Sequence, residues 1–125
     1  MGSPSRERSM VTRKRNNCPD RGDLGWLSMN PQLGREQAGR RPAVCLSPAK
    51  YNRKSGLAIF CPITSQIKGY PFEVPISGAK SLKGVVLSDQ LKSLDWEQRD
   101  FEKIGKCTEE QLARIISSAT MLLKV

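Results

Sequence analysis

Short runs of apolar residues, broken by turns rich in glycine and proline, fill the chain from residue 22 to about residue 106. Apolar and polar residues tend to alternate within these runs, which is typical of β-strands with one or both faces buried. Pro31 ends the first run, and Pro62 predicts an edge or a bulge inside the third, since proline cannot donate to a strand ladder. Strands are predicted at residues 23–29, 42–46, 57–63, 72–76, 85–87, 91–94 and 101–104, with a polar turn at 48–56 that has room for one helical turn near Tyr51.

The period of the apolar residues changes near the C-terminus, where it becomes that of an amphipathic helix. Thr108 is followed three residues later by Gln111, which is the pattern of a capping box. Glu109 and Glu110 suit the positive end of the helix dipole. We expect this helix to serve in packing, through an apolar face made of Leu112, Ile115, Ile116, Ala119, Leu122 and Leu123.

Many short strands and one terminal helix predict a mainly β fold of the α+β class, a small β-barrel with the C-terminal amphipathic helix against it. The length of 125 residues suits one domain with a modest core. Residues 1–17 have no apolar periodicity, so we expect a disordered basic tail over residues 1–20 and a folded domain over residues 21–125. The opening Met-Gly-Ser could derive from an expression vector, with Met10 as another natural start.

The net charge of +9 favours an anionic partner such as nucleic acid or an acidic protein. Residues 1–17 carry five basic residues and one acidic residue, which leaves +5 for the rest of the chain. No run approaches the roughly 18 apolar residues of a membrane-spanning helix. No apolar segment follows the basic N-terminus as it would in a secretory signal. We therefore expect no membrane association and a cytoplasmic location.

The inventory of reactive residues excludes several kinds of active site. The chain has no histidine, which rules out Ser-His and Cys-His nucleophilic sites and histidine-based cleavage of RNA. The four cysteines lack a C-x-x-C pair, and Cys45 and Cys61 fall within apolar runs, where a thiol behaves as a small hydrophobe. The apolar runs contain no paired carboxylates for a two-metal nuclease, and there is no phosphate-binding glycine loop. We expect neither a metal nor another cofactor.

One polar loop delivers Glu36, Arg40 and Arg41 to the start of a buried strand. An arginine in such a position usually directs its planar guanidinium at a carboxylate or a phosphate, and a structural ion pair with Glu36 is one interpretation. The sequence of this loop and strand is EQAGRRP followed by AVCLSP. Together with ITSQIKGYPFEV at residues 63–74 and LSDQLKSLDW at residues 87–96, it resembles the MazF/PemK family of toxin endoribonucleases. The resemblance extends from about residue 21 to the C-terminus.

The resemblance implies an SH3-like barrel with helices that assembles as a homodimer and acts as the toxin of a type II toxin–antitoxin pair. One implied partner is single-stranded RNA, in particular mRNA, whose cleavage would inhibit translation. The other is an acidic antitoxin of the MazE type, whose tail lies across the RNA groove, and DNA would be met only indirectly, through the antitoxin complex. Two other interpretations stay open: a non-catalytic basic barrel that binds RNA or an acidic protein segment, and a gyrase-directed toxin on the same fold.

RNA offers one cleavage reaction that needs neither a metal nor histidine. The ribose 2′-hydroxyl attacks the neighbouring phosphorus and displaces the 5′-oxygen, which leaves a 2′,3′-cyclic phosphate and a 5′-hydroxyl. A carboxylate, an arginine and a hydroxyl suffice for this reaction in principle. The resemblance assigns these parts to Glu36 as general base, Arg41 as the group that holds the phosphoryl oxygens, and Thr64 as a further hydrogen-bond partner of a phosphoryl oxygen.

The remaining candidates are RNA contacts around the same site. Arg40 stands where some relatives carry histidine, so it can bind phosphate but cannot shuttle protons. Asp89 is a weaker candidate, because some of the broader superfamily have an arginine two positions before it, where this chain has Leu87. Trp26 and Phe72 could stack on bases, although the core suits Trp26 better. The predicted RNA contacts are Gln37, Arg40, Ser65, Gln66, Lys68, Asp89 and Gln90.

Overall fold

The computed structural model of the protein describes residues 17–30, 39–79 and 82–124. Within these ranges a seven-stranded sheet curls into a half-barrel, with the longer of two helices packed against it. This is the mainly β fold of the α+β class that the sequence predicts. The strands are β1 (Asp23–Ser28), β2 (Arg40–Cys45), β3 (Leu57–Thr64), β4 (Glu73–Ile76), β5 (Gly84–Leu87), β6 (Lys92–Asp95) and β7 (Glu102–Lys106), and the helices are α1 (Ala49–Ser55) and α2 (Glu109–Lys124).

The boundaries of the elements differ from the predicted ones at two places that matter for the site. β2 begins at Arg40, two residues before the predicted start, so both arginines belong to the strand rather than to the loop. The polar turn at 48–56 holds the seven-residue helix α1, which ends at Gly56 in the left-handed conformation. Glu36 and Gln37 lie outside the described residues.

The strand β3 connects two parts of the sheet by changing its partners along its length. Its first part pairs with β2 and β6, and the last pair between β2 and β3 is Ala43 with Pro62. Its other edge pairs with β6 up to Phe60 and with β5 from Ile63, through Ile63 and Thr64, and Pro62, which has no N–H for a ladder, lies between these two partners. The predicted edge or bulge at Pro62 is wrong, because β3 lies inside the sheet and its register with β2 runs without a shift through Pro62. β5 then pairs with β4, which lies at the edge of the sheet as predicted.

Both faces of the central strands are buried, because successive side chains of a strand point to opposite sides of the sheet. On one side, Leu24, Val44 and Ile63 belong to a core that also includes Ile115 of α2, and Trp26 packs against it as a partly buried residue. This placement agrees with the assignment of Trp26 to the core. The core on the other side consists of Leu27, Ala43, Cys45, Ala58, Phe60, Trp96 and Phe101.

Ordered structure begins before the predicted domain boundary at residue 21. Pro19 is buried, and its carbonyl oxygen accepts a 2.8 Å hydrogen bond from the side chain of the buried Asn52. The Asp20 carboxylate accepts the Ala49 N–H at 2.8 Å, and this bond holds the pKa of Asp20 below its usual value. The predicted tail therefore extends several residues too far, because contacts with α1 that are distant in sequence fix these residues. Residues 1–16 of that tail lie outside the described ranges.

The helix α2 has the predicted capping box. The Gln111 N–H donates to Thr108 Oγ1 and the Thr108 N–H donates to Gln111 Oε1, both at 3.1 Å. Ile115 and Ala119 are buried and Leu112 packs against the core, but the prediction that the whole apolar face packs is wrong for its other members. Sixteen residues of helix are roughly 24 Å long, whereas the four residues of β4 beside it span about 13 Å. The exposed members of the predicted face are Ile116, Leu122 and Leu123.

Candidate active site

The described residues form a cleft of about 400 Å³ where β2 and β3 separate, which we call the main cleft. A neighbouring recess of about 160 Å³, the side recess, shares Thr64 and Gln66 with it. Two of the three predicted catalytic residues, Arg41 and Thr64, line the main cleft. The full lining of the main cleft is Trp26, Arg41, Pro42, Ile63, Thr64, Ser65, Gln66, Leu82 and Lys83, and that of the side recess is Thr64, Gln66, Lys68, Tyr70, Phe72, Glu73, Leu87 and Gln90.

The strand register explains why Arg41 and Thr64 share this cleft. The last pair of β2 and β3 is Ala43 with Pro62, and the same register continued by two residues would set Arg41 opposite Thr64. Residues directly opposite in an antiparallel pair point to the same face of the sheet. Because the ladder stops at Pro62, the two residues lie on the two sides of an open gap instead of within a closed sheet.

Arg41 supplies a positive charge to the main cleft. It lies on β2 opposite Leu27 of β1, and its side chain is exposed. Its Nη1 donates a 2.8 Å hydrogen bond to the carbonyl oxygen of Arg40, which engages one of the five N–H donors of a guanidinium. Lys83 lines the same cleft and adds a second cation. A guanidinium and an ammonium at an accessible cleft are suited to bind the phosphate groups of a nucleic acid.

The neighbouring Arg40 has a different role from the predicted RNA contact, because it is buried with 5% of its surface exposed. Its guanidinium donates to Ser28 Oγ at 3.0 Å, to the Trp26 carbonyl at 3.3 Å and to the Asp100 carbonyl at 3.0 Å, with Glu102 Oε1 at 3.4 Å. Arg40 therefore ties β1 to the turn before β7. Successive residues of a strand point to opposite faces, which agrees with a buried Arg40 beside an exposed Arg41.

Thr64 ends β3 with its hydroxyl at the junction of the main cleft and the side recess. Its Oγ1 accepts a 3.1 Å hydrogen bond from the Gln66 N–H. A hydroxyl that accepts through a lone pair keeps its own O–H available as a donor. The backbone here is closely held, since a Cβ added to Gly84 on β5 would lie 2.2 Å from the Thr64 carbonyl oxygen. The backbone that carries the Thr64 hydroxyl is thus closely held beside the cleft.

The loop 65–72 carries most of the other polar groups of the site, and it is held by Glu73, a residue that the sequence did not single out. Glu73 is 8% exposed, and its carboxylate accepts the Lys68 N–H at 3.1 Å and the Gly69 N–H at 2.9 Å. The rings of Tyr70 and Phe72 stack at a centroid distance of 5.2 Å and an angle of 15°. The only sequence signal for this role is an acidic residue in an otherwise apolar edge strand.

The structure separates the other predicted RNA contacts into two groups. Ser65 lines the main cleft, Lys68 and Gln90 line the side recess, and Gln66 lines both. Asp89 is exposed on the turn after β5 and lies outside both linings. These positions favour Gln90 over Asp89 as a contact for a bound strand.

The cysteines of the described residues are reduced and mostly buried. Burial raises the pKa of the Cys45 thiol to about 11 and that of the Cys61 thiol to about 12. This confirms the interpretation of both as small core residues, since the reactive thiolate form is suppressed. Across residues 17–30, 39–79 and 82–124 there is no group of three His, Cys, Asp or Glu side chains that could hold a metal ion. In the same ranges no helix has the length and apolarity needed to cross a bilayer.

Fold and cleft together define a class of protein: a small basic half-barrel that presents an arginine and a threonine from two diverging strands. Comparison with known families agrees with this description. The sequence model of a family described as "PemK-like, MazF-like toxin of type II toxin-antitoxin system" matches residues 20–122. The chain belongs to this family of toxins.

Individual relatives define the activity more closely. The endoribonuclease toxin MazF of Escherichia coli (strain K12) is 48% identical over 105 residues, which cover 84% of this chain and 94% of that protein. A crystal structure of MazF from Deinococcus radiodurans has a TM-score of 0.75 and 46% identity, over 86% of this chain and 98% of that one. A MazE–MazF crystal structure from the same organism has a TM-score of 0.75 and 42% identity, over 85% and 95% of the two chains. The protein is therefore an endoribonuclease toxin of a toxin–antitoxin system, and the non-catalytic and gyrase-directed interpretations are set aside.

Proposed function

We propose that this toxin cuts single-stranded RNA, in particular mRNA, without a metal ion and at selected sequences, and thereby stops translation. The observation that supports this proposal is that Arg41 and Thr64 line one open cleft, two residues beyond the last pair of β2 and β3 on each strand. The arginine offers charged N–H donors and the threonine an O–H donor, and the oxygens of a phosphodiester accept hydrogen bonds from such groups. The proposed substrate also supports a cytoplasmic location.

The proposed reaction moves two protons and exchanges one bond for another. The ribose O2′ gives its proton to the Glu36 carboxylate and forms a bond to the adjacent phosphorus. The bond from phosphorus to O5′ breaks, and O5′ takes a proton, which yields a 2′,3′-cyclic phosphate and a 5′-hydroxyl. Arg41 and Thr64 donate hydrogen bonds to the non-bridging oxygens as their charge increases, an effect typically worth about 2.7–4 kcal/mol per donor in other enzymes. The role of Glu36 rests on the motif that it shares with the family, EQAGRRP.

We further propose an acidic antitoxin of the MazE type as the protein partner. The D. radiodurans relative was crystallised as a MazE–MazF complex. The part of this chain after residue 17 carries a net charge of +5, and the main cleft holds the cations of Arg41 and Lys83. An acidic segment and an RNA strand would compete for these groups, because both are anions that need the same complementary charge.

We also propose that two copies of the chain form a homodimer. The end of α2 exposes Met121, Leu122 and Leu123 by 66%, 54% and 78% of their surfaces. Met121 and Leu122 also line a shallow apolar recess with Pro71 and Phe72. An apolar patch of this kind on a small domain usually marks a protein interface, and a second copy of the chain is the partner that the family resemblance implies.

The decisive experiment is cleavage of a long, weakly structured RNA by the purified protein in the presence of EDTA, followed by mapping of the new ends. We expect cutting to persist and to leave 5′-hydroxyl and cyclic-phosphate ends. A second RNA that carries 2′-deoxyribose at the mapped cut site should remain intact at that site, because the attacking hydroxyl is missing. Cutting that stops with chelator and returns with magnesium would refute the proposed chemistry.

A further inference from the structure

The residue Glu73 binds the loop 65–72 through three backbone contacts. Its carboxylate accepts the N–H groups of Lys68 and Gly69, and its own N–H donates to the Tyr70 carbonyl at 3.1 Å. Three consecutive loop residues are thus held by one residue of β4. Bonds to a carboxylate are stronger and more directional than bonds between neutral groups, so they offset the cost of burying Glu73 and fix the loop in one shape.

The same loop is also held at its beginning, where the Gln66 N–H donates to Thr64 Oγ1. The loop is therefore attached at one end to a proposed phosphate-binding residue and at the other end to Glu73. Between the two attachments, Gln66 lines both the main cleft and the side recess. The shape of the loop thereby sets the distance from the proposed phosphate site to whatever occupies the side recess.

The side recess has the composition of a base-binding site. Tyr70 and Phe72 stack on each other within it, and half of the Tyr70 surface remains exposed, at 51%. Exposed aromatic rings are the usual stacking surface for unpaired bases, and the Gln66 and Gln90 amides offer both donors and acceptors for base edges. Discrimination between bases needs such groups at fixed positions, which is what the Glu73 contacts provide.

We infer that Glu73 is a positioning residue for base selection, which acts through the loop 65–72 on the nucleotide that flanks the cleaved bond. This inference rests on the proposed cleavage of RNA and deepens it. Glu73 does not touch the reacting atoms in this scheme. Substitution of Glu73 should therefore change which RNA binds well, and this appears mainly in KM. The kcat on the preferred RNA should stay within a few-fold of the wild-type value, because Arg41 and Thr64 are unchanged.

The test compares two changes that loosen the loop in different ways. Glu73→Gln removes the charge and one acceptor oxygen. Gly69→Ala keeps the carboxylate but strains the loop itself, since Gly69 has a φ of +83° and no atom lies within 4 Å of an added Cβ. Gly56→Ala at the end of α1 is the matched control, because Gly56 has a φ of +77° and equally open surroundings far from the recess.

The measurement is kcat and KM on short RNA oligonucleotides that carry each of the four bases beside the mapped cut site. We expect Glu73→Gln and Gly69→Ala to lower the ratio of kcat/KM between the best and the next base by about tenfold. Gly56→Ala should keep the wild-type ratio although it melts at a similarly reduced temperature. Glu73→Ala, which removes both acceptor oxygens, should lower this ratio further than Glu73→Gln does.

The inference would be overturned, while the proposed function stands, by either of two results. One is a wild-type ratio of kcat/KM between bases in both Glu73→Gln and Gly69→Ala. The other is a change of that ratio in Gly56→Ala as large as in these two variants. Failure of the wild-type protein to cut any RNA would overturn the proposed function and this inference with it. If Glu73→Gln does not fold, Gly69→Ala decides the matter alone, because it leaves every side chain of the recess in place.

Discussion

The two adjacent arginines of β2 should respond to substitution in opposite ways, and Arg40→Ala is the more informative change. Its buried guanidinium donates to Ser28 Oγ and to the carbonyls of Trp26 and Asp100. A hydrogen bond to a charged group contributes about 1.5–3 kcal/mol, and each buried acceptor left without a donor costs about 1–3 kcal/mol. The contact with Glu102 adds little, because 54% of that side chain is exposed.

We therefore expect Arg40→Ala to lower the free energy of unfolding by about 3 kcal/mol or more. For a domain of this size, 1 kcal/mol corresponds to roughly 4–8 °C in Tm, so the melting temperature should fall by about 12 °C or more. Arg41→Ala is the control, since its exposed side chain should affect stability by no more than about 1 kcal/mol. The assay is thermal melting by circular dichroism, together with RNA cleavage well below the Tm of each variant.

In the cleavage assay the order is reversed, and Arg41→Ala should have the larger effect. Arg41→Ala should lose about 10²–10³-fold in cleavage rate, because it removes a donor to the charged phosphoryl group. Folded Arg40→Ala should retain cleavage within about tenfold of the wild-type protein, and Arg40→Lys should lie between the wild type and Arg40→Ala in stability. A melting temperature of Arg40→Ala within a few degrees of wild type, combined with lost cleavage, would show that Arg40 contacts RNA after all.

Three further predictions concern the chemistry, the core and the assembly. Glu36→Gln should lower the cleavage rate by about 10²–10⁴-fold, while RNA affinity measured by filter binding stays equal or tightens. Thr64→Val should lose less of the cleavage rate. If Glu36→Gln unfolds and its residual native fraction is fully active, Glu36 forms a structural ion pair instead. The buried thiols of Cys45 and Cys61 should resist iodoacetamide at pH 8 until the protein unfolds. Since burial raises the pKa of Cys45 from 9.0 to about 11, the free energy of unfolding measured with urea should fall between pH 9 and 11, where the unfolded thiol ionises and the folded one does not. Leu122→Glu should convert a dimer into a species near the 13.9 kDa of one chain in sedimentation experiments, and a wild-type mass near 13.9 kDa at micromolar concentration would refute the dimer.

The sequence predicted the strands well because each one is a short run, apolar or alternating in polarity, bounded by turn residues. It placed the start of β2 at Pro42, however, and so left Arg40 and Arg41 in a loop, where adjacent side chains have no fixed relation. With the strand begun at Arg40, alternation alone would have predicted that one arginine is buried and the other exposed.

Other features depend on contacts that no local pattern contains. The role of Glu73 arises from a loop that folds back on its strand, and the exposed end of α2 results from the shortness of β4. Thr64 was singled out by its motif, but its place in one cleft with Arg41 depends on where the pairing of β2 and β3 ends. Glu36 lies outside the described residues, so its role as general base stays a prediction.

The end of the ladder between β2 and β3 at Ala43 and Pro62 has a consequence for any ligand that enters the main cleft. In many sheets a gap between strands can be closed by further backbone hydrogen bonds, and a ligand must then break them to enter. Here the next pair would join Pro42 and Ile63, and Pro42 has no N–H to offer. A ligand that enters the cleft at this place therefore breaks no backbone hydrogen bonds between β2 and β3, because their ladder already ends at Ala43 and Pro62.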